Sequence, residues 1–188
     1  MSHDERLRRL ERAFRASGAA EDEAEWLREW VRRGELDPAR LDAAAALGHP
    51  AALLASGRGD EPLRALERLG PTALGRAAVA AAELVLPVWE GAFARDPRPR
   101  LAVAAARAWT LCPCTPHLQE ARALGLQVYA TVGDLPEASH AARAAMHCGA
   151  LLGTERVGEA VASAELAGVS RAALHDAIRA ALVPWLLS

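Results

Sequence analysis

Apolar side chains recur along the chain at the spacing of amphipathic helices. Leu7, Leu10 and Phe14 share one helix face, and the apolar residues between 26 and 31 share another. Proline, glycine and short capping side chains separate most of these apolar runs. The pattern predicts an all-α fold of about ten helices, and their short connections favour antiparallel neighbours. We expect an irregular antiparallel helical bundle or a short α-solenoid.

The predicted helix ends rest on local signals. Asp37-Pro38 and Asp96-Pro97 each place a capping acid before a proline of the first helical turn. Gly34 ends the second helix, and Ser170 caps the last one. Three further predicted caps are Ser2, Asp60 and Asp134.

One long apolar run, from Thr72 to about Ala94, contains Pro87. Proline lacks the backbone N–H and clashes with the preceding turn, so we expect a kink or a break there. The most apolar part, Ala77 to Val88, is interrupted by Glu83 and is too short to span a bilayer. We therefore expect no membrane association.

The glycine-rich stretch 56–60 is the predicted boundary between two parts of the chain. We expect residues 1–58 to form an N-terminal helical unit and residues 59–188 to form the main α-helical domain. The two should pack as one globule, since 188 residues are enough for one core.

Composition limits the classes of function. The 22 basic residues nearly balance the 24 acidic ones, with a net charge of −2. The chain therefore lacks the excess of basic residues that a nucleic-acid-binding surface needs. The three cysteines indicate reduced thiols, and no secretory leader pattern is present, so we expect a cytoplasmic protein. The spacings typical of zinc proteases, serine hydrolases, P-loops and dinucleotide folds are missing. We expect no enzymatic activity and no cofactor.

Cys112, Cys114 and His117 have the sulfur and imidazole groups that zinc prefers, and Cys148 with His140 or His147 are further candidate ligands from which a tetrahedral site could be completed. However, the spacing differs from the usual C-x2-C pair, and proline lies between the first two cysteines. We therefore expect no metal site, while the sequence leaves open whether these thiols ever bind metal or react.

The most distinctive stretch begins with Leu86-Pro87-Val88-Trp89-Glu90. It continues with Asp96-Pro97-Arg98-Pro99-Arg100 and Arg107-Ala108-Trp109. This pattern, over about residues 84–152, resembles that of the immunity proteins of bacterial polymorphic toxin systems. The resemblance implies a protein that binds a cognate toxin and blocks it.

Two groups of charged residues are the predicted partner-binding sites. The first is an acidic face on the second helix, formed by Glu21, Asp22, Glu23 and Glu25. The second is the pair Arg98 and Arg100, which must also be compensated at a helix N-terminus, by Asp96 as a cap or by Glu90 across the turn. We further predict that Trp89, Phe93 and Trp109 pack together across this turn.

The sequence favours a cytoplasmic antitoxin-like immunity protein that binds a protein toxin without catalysis, as a monomer or a homodimer. A helical scaffold or adaptor that mediates protein–protein interaction is the alternative. An enzyme or metal-dependent sensor built on the cysteine–histidine group is the third hypothesis.

Overall fold

The computed structural model describes residues 3–57, 61–129, 135–150 and 153–188, and within these ranges the chain forms eleven α-helices and no strand. The predicted all-α fold is confirmed. The helices are α1 (His3–Ser17), α2 (Ala20–Arg33), α3 (Pro38–Ala46), α4 (Pro50–Ser56), α5 (Pro62–Arg68), α6 (Pro71–Ala92), α7 (Arg98–Leu111), α8 (Thr115–Tyr129), α9 (Pro136–Ala150), α10 (Gly153–Leu166) and α11 (Arg171–Leu186).

Local capping determines several helix ends as predicted. The Asp37 carboxylate accepts a hydrogen bond from the Ala39 N–H at 2.8 Å, at the start of α3. The Ser170 hydroxyl accepts one from the Ala173 N–H at 3.2 Å, at the start of α11. Gly34 follows α2 with φ +71°, a left-handed conformation that glycine adopts without strain. The predicted caps Ser2, Asp60 and Asp134 lie outside the described residues.

Of the kink or break predicted at Pro87, the break was wrong, because α6 continues to Ala92 with the proline inside it, and the kink stays a prediction. Val85 and Trp89 are buried on either side of the proline, and burying such side chains offsets the roughly 3 kcal/mol that an internal proline costs.

By length and composition, α6 is also the one described helix that could cross a membrane, with a mean hydropathy of 1.3. However, 61% of its apolar window is buried within the structure, and α7, α9 and α10 pack against it. Such burial is typical of a core helix. The helix is nevertheless longer than Ala77 to Val88, the apolar stretch that the sequence analysis found too short to span a bilayer.

The chain forms two compact units, one of residues 1–68 with 182–188 and the other of residues 69–181. The boundary predicted between residues 58 and 59 is therefore displaced. Gly57 ends α4 with φ +66°, but α5 packs against α3 and stays with the first unit. Gly57 thus marks the end of a helix rather than a limit between units.

In the first unit, aromatic side chains anchor the packing of α1 against α2. Phe14 stacks on Trp26 with ring centroids 5.8 Å apart, and Trp26 contacts Trp30 at 4.3 Å. The C-terminal segment is held by Arg40, whose guanidinium lies 5.2 Å from the ring centroid of Trp185 and donates to that residue's carbonyl oxygen. These contacts favour a packing role for the tryptophans.

Candidate functional site

The distinctive stretch folds into a tight turn between α6 and α7. Trp89 is 1% exposed, and its ring centroid lies 4.4 Å from that of Phe93, which ends α6. The Trp89 Nε1–H donates to the carbonyl oxygen of Asp96 at 3.2 Å, and the Asp96 N–H donates to the Phe93 carbonyl at 2.9 Å. The indole thus ties the helix to the turn that follows it.

Both acids predicted to compensate the arginines pair with them, but Asp96 lies one residue before Pro97, which is the N-cap of α7, so the predicted cap at Asp96 was wrong. The Arg98 guanidinium binds the Asp96 carboxylate at 2.8 and 2.6 Å, and Asp96 also accepts from the Arg98 N–H at 3.1 Å. Arg100 donates to Glu90 across the turn through Nε at 2.7 Å and through a terminal nitrogen at 2.6 Å. The predicted partner-binding arginines therefore already have acidic partners within the chain.

The expected three-ring cluster is only a pair. Trp109 is buried, but it lies eleven residues into α7, about 16 Å along the helix axis at 1.5 Å per residue. No ring contact joins it to Trp89 or Phe93 within the described part of the chain. The prediction was wrong about Trp109. The turn does bring α7 back toward α6, but Trp109 lies too far along α7 to reach the rings beside the turn.

A cavity of about 660 Å³ lies along this turn, lined by residues 92–98. Its carboxylate, Asp96, is held by Arg98, and the hydrogen bond from that side chain lowers the pKa of Asp96. A carboxylate with a lowered pKa is a weak base. The cavity therefore offers apolar surface and one internal ion pair, with little capacity for acid–base chemistry.

The acids of the predicted acidic face of α2 have different surroundings. At about 100° per residue, Glu23 projects away from the stripe that Glu21 and Glu25 share, whereas Asp22 lies at the edge of that stripe, about 60° from Glu25. Asp22 accepts a hydrogen bond from the Ser17 hydroxyl, and Glu23 lies 3.6 Å from the His49 imidazole.

The exposed stripe itself continues through Arg28 and Arg32, which follow Glu25 by three and seven residues. The remaining acid of the helix, Glu29, is buried and paired with Arg6 at 3.2 Å and with Arg32 at 2.9 Å. The surface of α2 thus carries charges of both signs. Glu23 is separated from the other three acids by helical periodicity and by its contact with His49, and the basic residues Arg28 and Arg32 continue the stripe of Glu21 and Glu25.

A second feature, which the sequence did not indicate, is a groove of about 560 Å³ in the second unit, where α8 and α10 pack against α9. Leu126 and Tyr129 stand on its rim with 73% and 71% of their surface exposed. We call it the α8–α9 groove. It is lined by Arg122, Gly125, Leu126, Tyr129, Met146, His147 and Arg156.

Two glycines position this groove. The helices approach so closely that a Cβ atom added to Gly149 would lie 2.7 Å from the Ala121 carbonyl oxygen and 3.0 Å from Gly125 Cα. A Cβ on Gly125 would lie 3.2 Å from the Met146 carbonyl oxygen. Only glycine at residue 149 permits this backbone contact, and the close contact places the side chains of α8 directly beside those of α9.

The charges around the α8–α9 groove are mostly positive. Among the described residues, Arg122 has no ion-pair partner, whereas Arg156 binds Glu159 at 2.6 Å. The same carboxylate lies 3.0 Å from His147 Nδ1. Burial lowers the pKa of His147, although the charge of Glu159 acts in the opposite direction. Near neutral pH the groove thus combines apolar surface with an unpaired guanidinium.

The third feature is the connection between α7 and α8, where Cys112, Cys114 and His117 come together. Their ligand atoms all lie within 4.8 Å of one another, and His117 Nδ1 is 3.2 Å from Cys114 Sγ. Hydrogen bonding to the Cys114 thiol, followed by its charge, raises the pKa of Cys112. The sequence identified these residues but did not predict that the turn at Pro113 brings them to one point.

The other thiol and imidazoles considered with this group stay apart from it. Cys148 is fully buried within α9, and burial, with a smaller contribution from the charge of Glu83, raises its pKa well above the ordinary value. Among the described residues, neither His140 nor His147 joins the cysteine–histidine group. Cys148 behaves as a core side chain.

Comparisons with protein-family models, curated proteins and solved structures found no match for this chain.

Proposed function

We propose that this chain is a cytoplasmic immunity-type protein that binds a cognate protein toxin at the α8–α9 groove and blocks it without catalysis. The observation that carries the proposal is the exposure of Leu126 and Tyr129, 73% and 71%, at the rim of a 560 Å³ groove. Large apolar side chains clustered at a concave surface are typical of protein-binding sites. The resemblance of the stretch over residues 84–152 to immunity proteins supports the same class of function.

The charge of the groove favours one kind of occupant. Arg122 offers a guanidinium without an ion-pair partner in the described part of the chain, and Arg156 offers a second one that is bound to the carboxylate of Glu159. Guanidinium groups bind carboxylates through paired hydrogen bonds. We therefore assign the groove to a toxin segment that carries an apolar side chain flanked by aspartate or glutamate.

Binding through this surface would leave the fold of the immunity protein unchanged. Leu126 and Tyr129 contribute little to the core, because most of their surface is already in water, and exposed substitutions alter stability by only about ±0.5 kcal/mol. A central anchor of an interface contributes about 2 kcal/mol or more, which corresponds to roughly a 30-fold change in Kd. Binding and stability can therefore be separated by mutation.

The test uses the full-length chain as bait in lysate of the source cells, beside the double variant Leu126→Asp with Tyr129→Asp. The matched control is Leu53→Asp with Leu54→Asp, on α4 of the other unit, where the leucines are 40% and 48% exposed. We expect a protein that the wild type and the control retain and the groove variant loses. Expressed alone, that protein should arrest growth, and co-expression of the wild type, but not of the groove variant, should restore it.

The same experiment separates the competing functions. A retained protein that leaves growth unaffected would overturn the immunity assignment and favour a scaffold. Dimerisation of the purified chain that the groove variant abolishes would assign the groove to a second copy instead. Equal capture and equal rescue by the groove variant would show that the toxin binds elsewhere.

A charge variant tests the proposed occupant. Replacing Arg122 with Glu should weaken binding of the isolated toxin at low salt and reduce the salt dependence of its association rate, because complementary charge accelerates encounter. Unchanged association at low and at high salt would contradict an acidic occupant.

A further inference from the structure

We propose that Cys112, Cys114 and His117 form a zinc-binding site. Cys112 and Cys114 lie on the connection between α7 and α8, His117 lies in the first turn of α8, and the ligand atoms of all three are within 4.8 Å of one another. Two thiols and an imidazole are ligands that zinc combines readily in proteins. This inference does not depend on the proposed toxin binding.

The local backbone explains why the donor groups meet. The Cys114 N–H donates to the Cys112 carbonyl oxygen at 2.8 Å, which closes a tight turn around Pro113. The Leu118 N–H donates to the Cys114 carbonyl oxygen at 3.0 Å, so Cys114 begins the first turn of α8. His117, three residues further, lies on the same face of that turn. Each donor is positioned by a short, hydrogen-bonded piece of chain.

The distances fit a tetrahedral ion. Zn–S bonds of about 2.3 Å and Zn–N bonds of about 2.0–2.1 Å place sulfur and nitrogen ligands roughly 3.5 Å apart. The observed separation of Cys114 Sγ from His117 Nδ1 is 3.2 Å. Small side-chain rotations are therefore sufficient to place an ion between them. The same Nδ1 lies 3.1 Å from the Cys112 carbonyl oxygen, and a bond from Nδ1 to zinc would replace that contact.

Zinc binding exchanges two protons for one metal ion. Zn²⁺ forms two bonds to sulfur and one to the imidazole, and the two thiols release their protons to the buffer. The two thiolates neutralise the ion. Cys112 is exposed and Cys114 and His117 are half-buried, so the fourth position faces water. The site is therefore an open three-ligand site rather than a closed structural one.

A thiol beside an imidazole is also the beginning of a catalytic pair. However, neither the cavity along residues 92–98 nor the α8–α9 groove is lined by these three residues, so neither would place a substrate against the sulfur. A second thiol lies in the same group, since the ligand atoms of Cys112, Cys114 and His117 are all within 4.8 Å of one another. Two thiols beside one imidazole favour a metal site over a catalytic pair.

The test loads reduced, metal-free full-length protein with Zn²⁺, removes excess ion, and measures zinc per chain by elemental analysis. Co²⁺ serves as the spectroscopic probe, because thiolate-to-cobalt charge transfer reports sulfur ligands and the visible bands report tetrahedral geometry. The ligand variants are Cys112→Ser, Cys114→Ser and His117→Ala, and Cys148→Ala is the control that removes the remaining thiol. Circular dichroism verifies the helical fold of each variant.

We expect one zinc per chain in the wild type and in Cys148→Ala, with a thiolate–cobalt band in both. Each ligand variant should bind at least about tenfold more weakly, since even residues that only orient a ligand cost 10–100-fold when they are removed. Calorimetry in two buffers of different ionisation enthalpy measures the number of protons released per zinc bound. That number should be smaller in Cys112→Ser than in the wild type. Wild type that binds no stoichiometric zinc, ligand variants that retain full affinity, or loss of zinc from Cys148→Ala would overturn the site.

Discussion

The close approach of α8 and α9 gives a prediction in which two physical effects oppose each other. Replacing Gly149 with alanine adds a better helix former in the last turn of α9, which alone would stabilise the protein by at most roughly 0.8–1 kcal/mol. The added Cβ, however, would lie 2.7 Å from the Ala121 carbonyl oxygen and 3.0 Å from Gly125 Cα. Both obstacles are backbone atoms of α8, which cannot rotate away as a side chain would.

The geometry decides which effect is larger. Carbon atoms in contact prefer separations of about 3.5–4.0 Å, so the helices must separate by roughly 0.5–1 Å or the backbone must distort. Forcing one extra carbon into a packed interface costs typically 1–3 kcal/mol, and a backbone obstacle belongs at the upper end. The packing cost is then about 3 kcal/mol and the gain in helix propensity about 1 kcal/mol. We therefore expect Gly149→Ala to destabilise the protein by about 2 kcal/mol.

Gly158→Ala is the matched control. Gly158 is also inside a helix, α10, and a Cβ there meets nothing within 4 Å. Only the gain in helix propensity remains, so we expect stabilisation by about 0.5–1 kcal/mol.

Thermal unfolding followed by circular dichroism measures both variants. At roughly 2–4 °C per kcal/mol for a chain of this size, Gly149→Ala should melt about 4–8 °C below the wild type and Gly158→Ala slightly above it. A Gly149→Ala protein that melts with the wild type or above it would refute the close packing of α8 against α9.

Two further predictions concern single side chains of the second unit. Trp89→Ala should cost about 3–5 kcal/mol, because the indole is buried and its Nε1–H binds Asp96; a variant that melts within a few degrees of the wild type would contradict this. His147 should make stability depend on pH: burial lowers its pKa below the ordinary 6.5, so the unfolded chain takes up a proton first as the pH falls through 6.5. Stability should then decline below pH 6.5 until the lower pKa of the folded state is passed. Urea titrations at several pH values should show a weaker decline in His147→Gln than in the wild type. Equal declines in the two proteins would show that other groups cause the pH dependence.

Features that depend on neighbours along the chain could be predicted from the sequence. The caps at Asp37 and Ser170 and the left-handed Gly34 involve atoms at most four residues apart. The ion pairs of Arg98 with Asp96 and of Arg100 with Glu90 close across a turn of ten residues or fewer. Within such short distances, the order of residues limits the possible geometry, so residue type and spacing were sufficient.

The turn at Pro113 is an instructive intermediate case. The residues Cys112, Cys114 and His117 were identified from their type, but their spacing matched no usual pair, and no metal site was expected. A hydrogen bond across Pro113 and the start of α8 at Thr115 bring the donors together. A signal was present in the sequence, since a histidine three residues after a helix-starting cysteine lies on its face.

Tertiary packing decided the rest. The helix α6 continues through Pro87 because residues on both sides of the proline are buried, although local propensity favours a break. The acids of α2 were separated by ion pairs to Arg6 and His49, which lie on other elements. The α8–α9 groove depends on Gly125 and Gly149 facing each other across two helices. Such contacts join residues far apart in sequence, and their free energy depends on which surfaces meet, a property that helical periodicity does not encode.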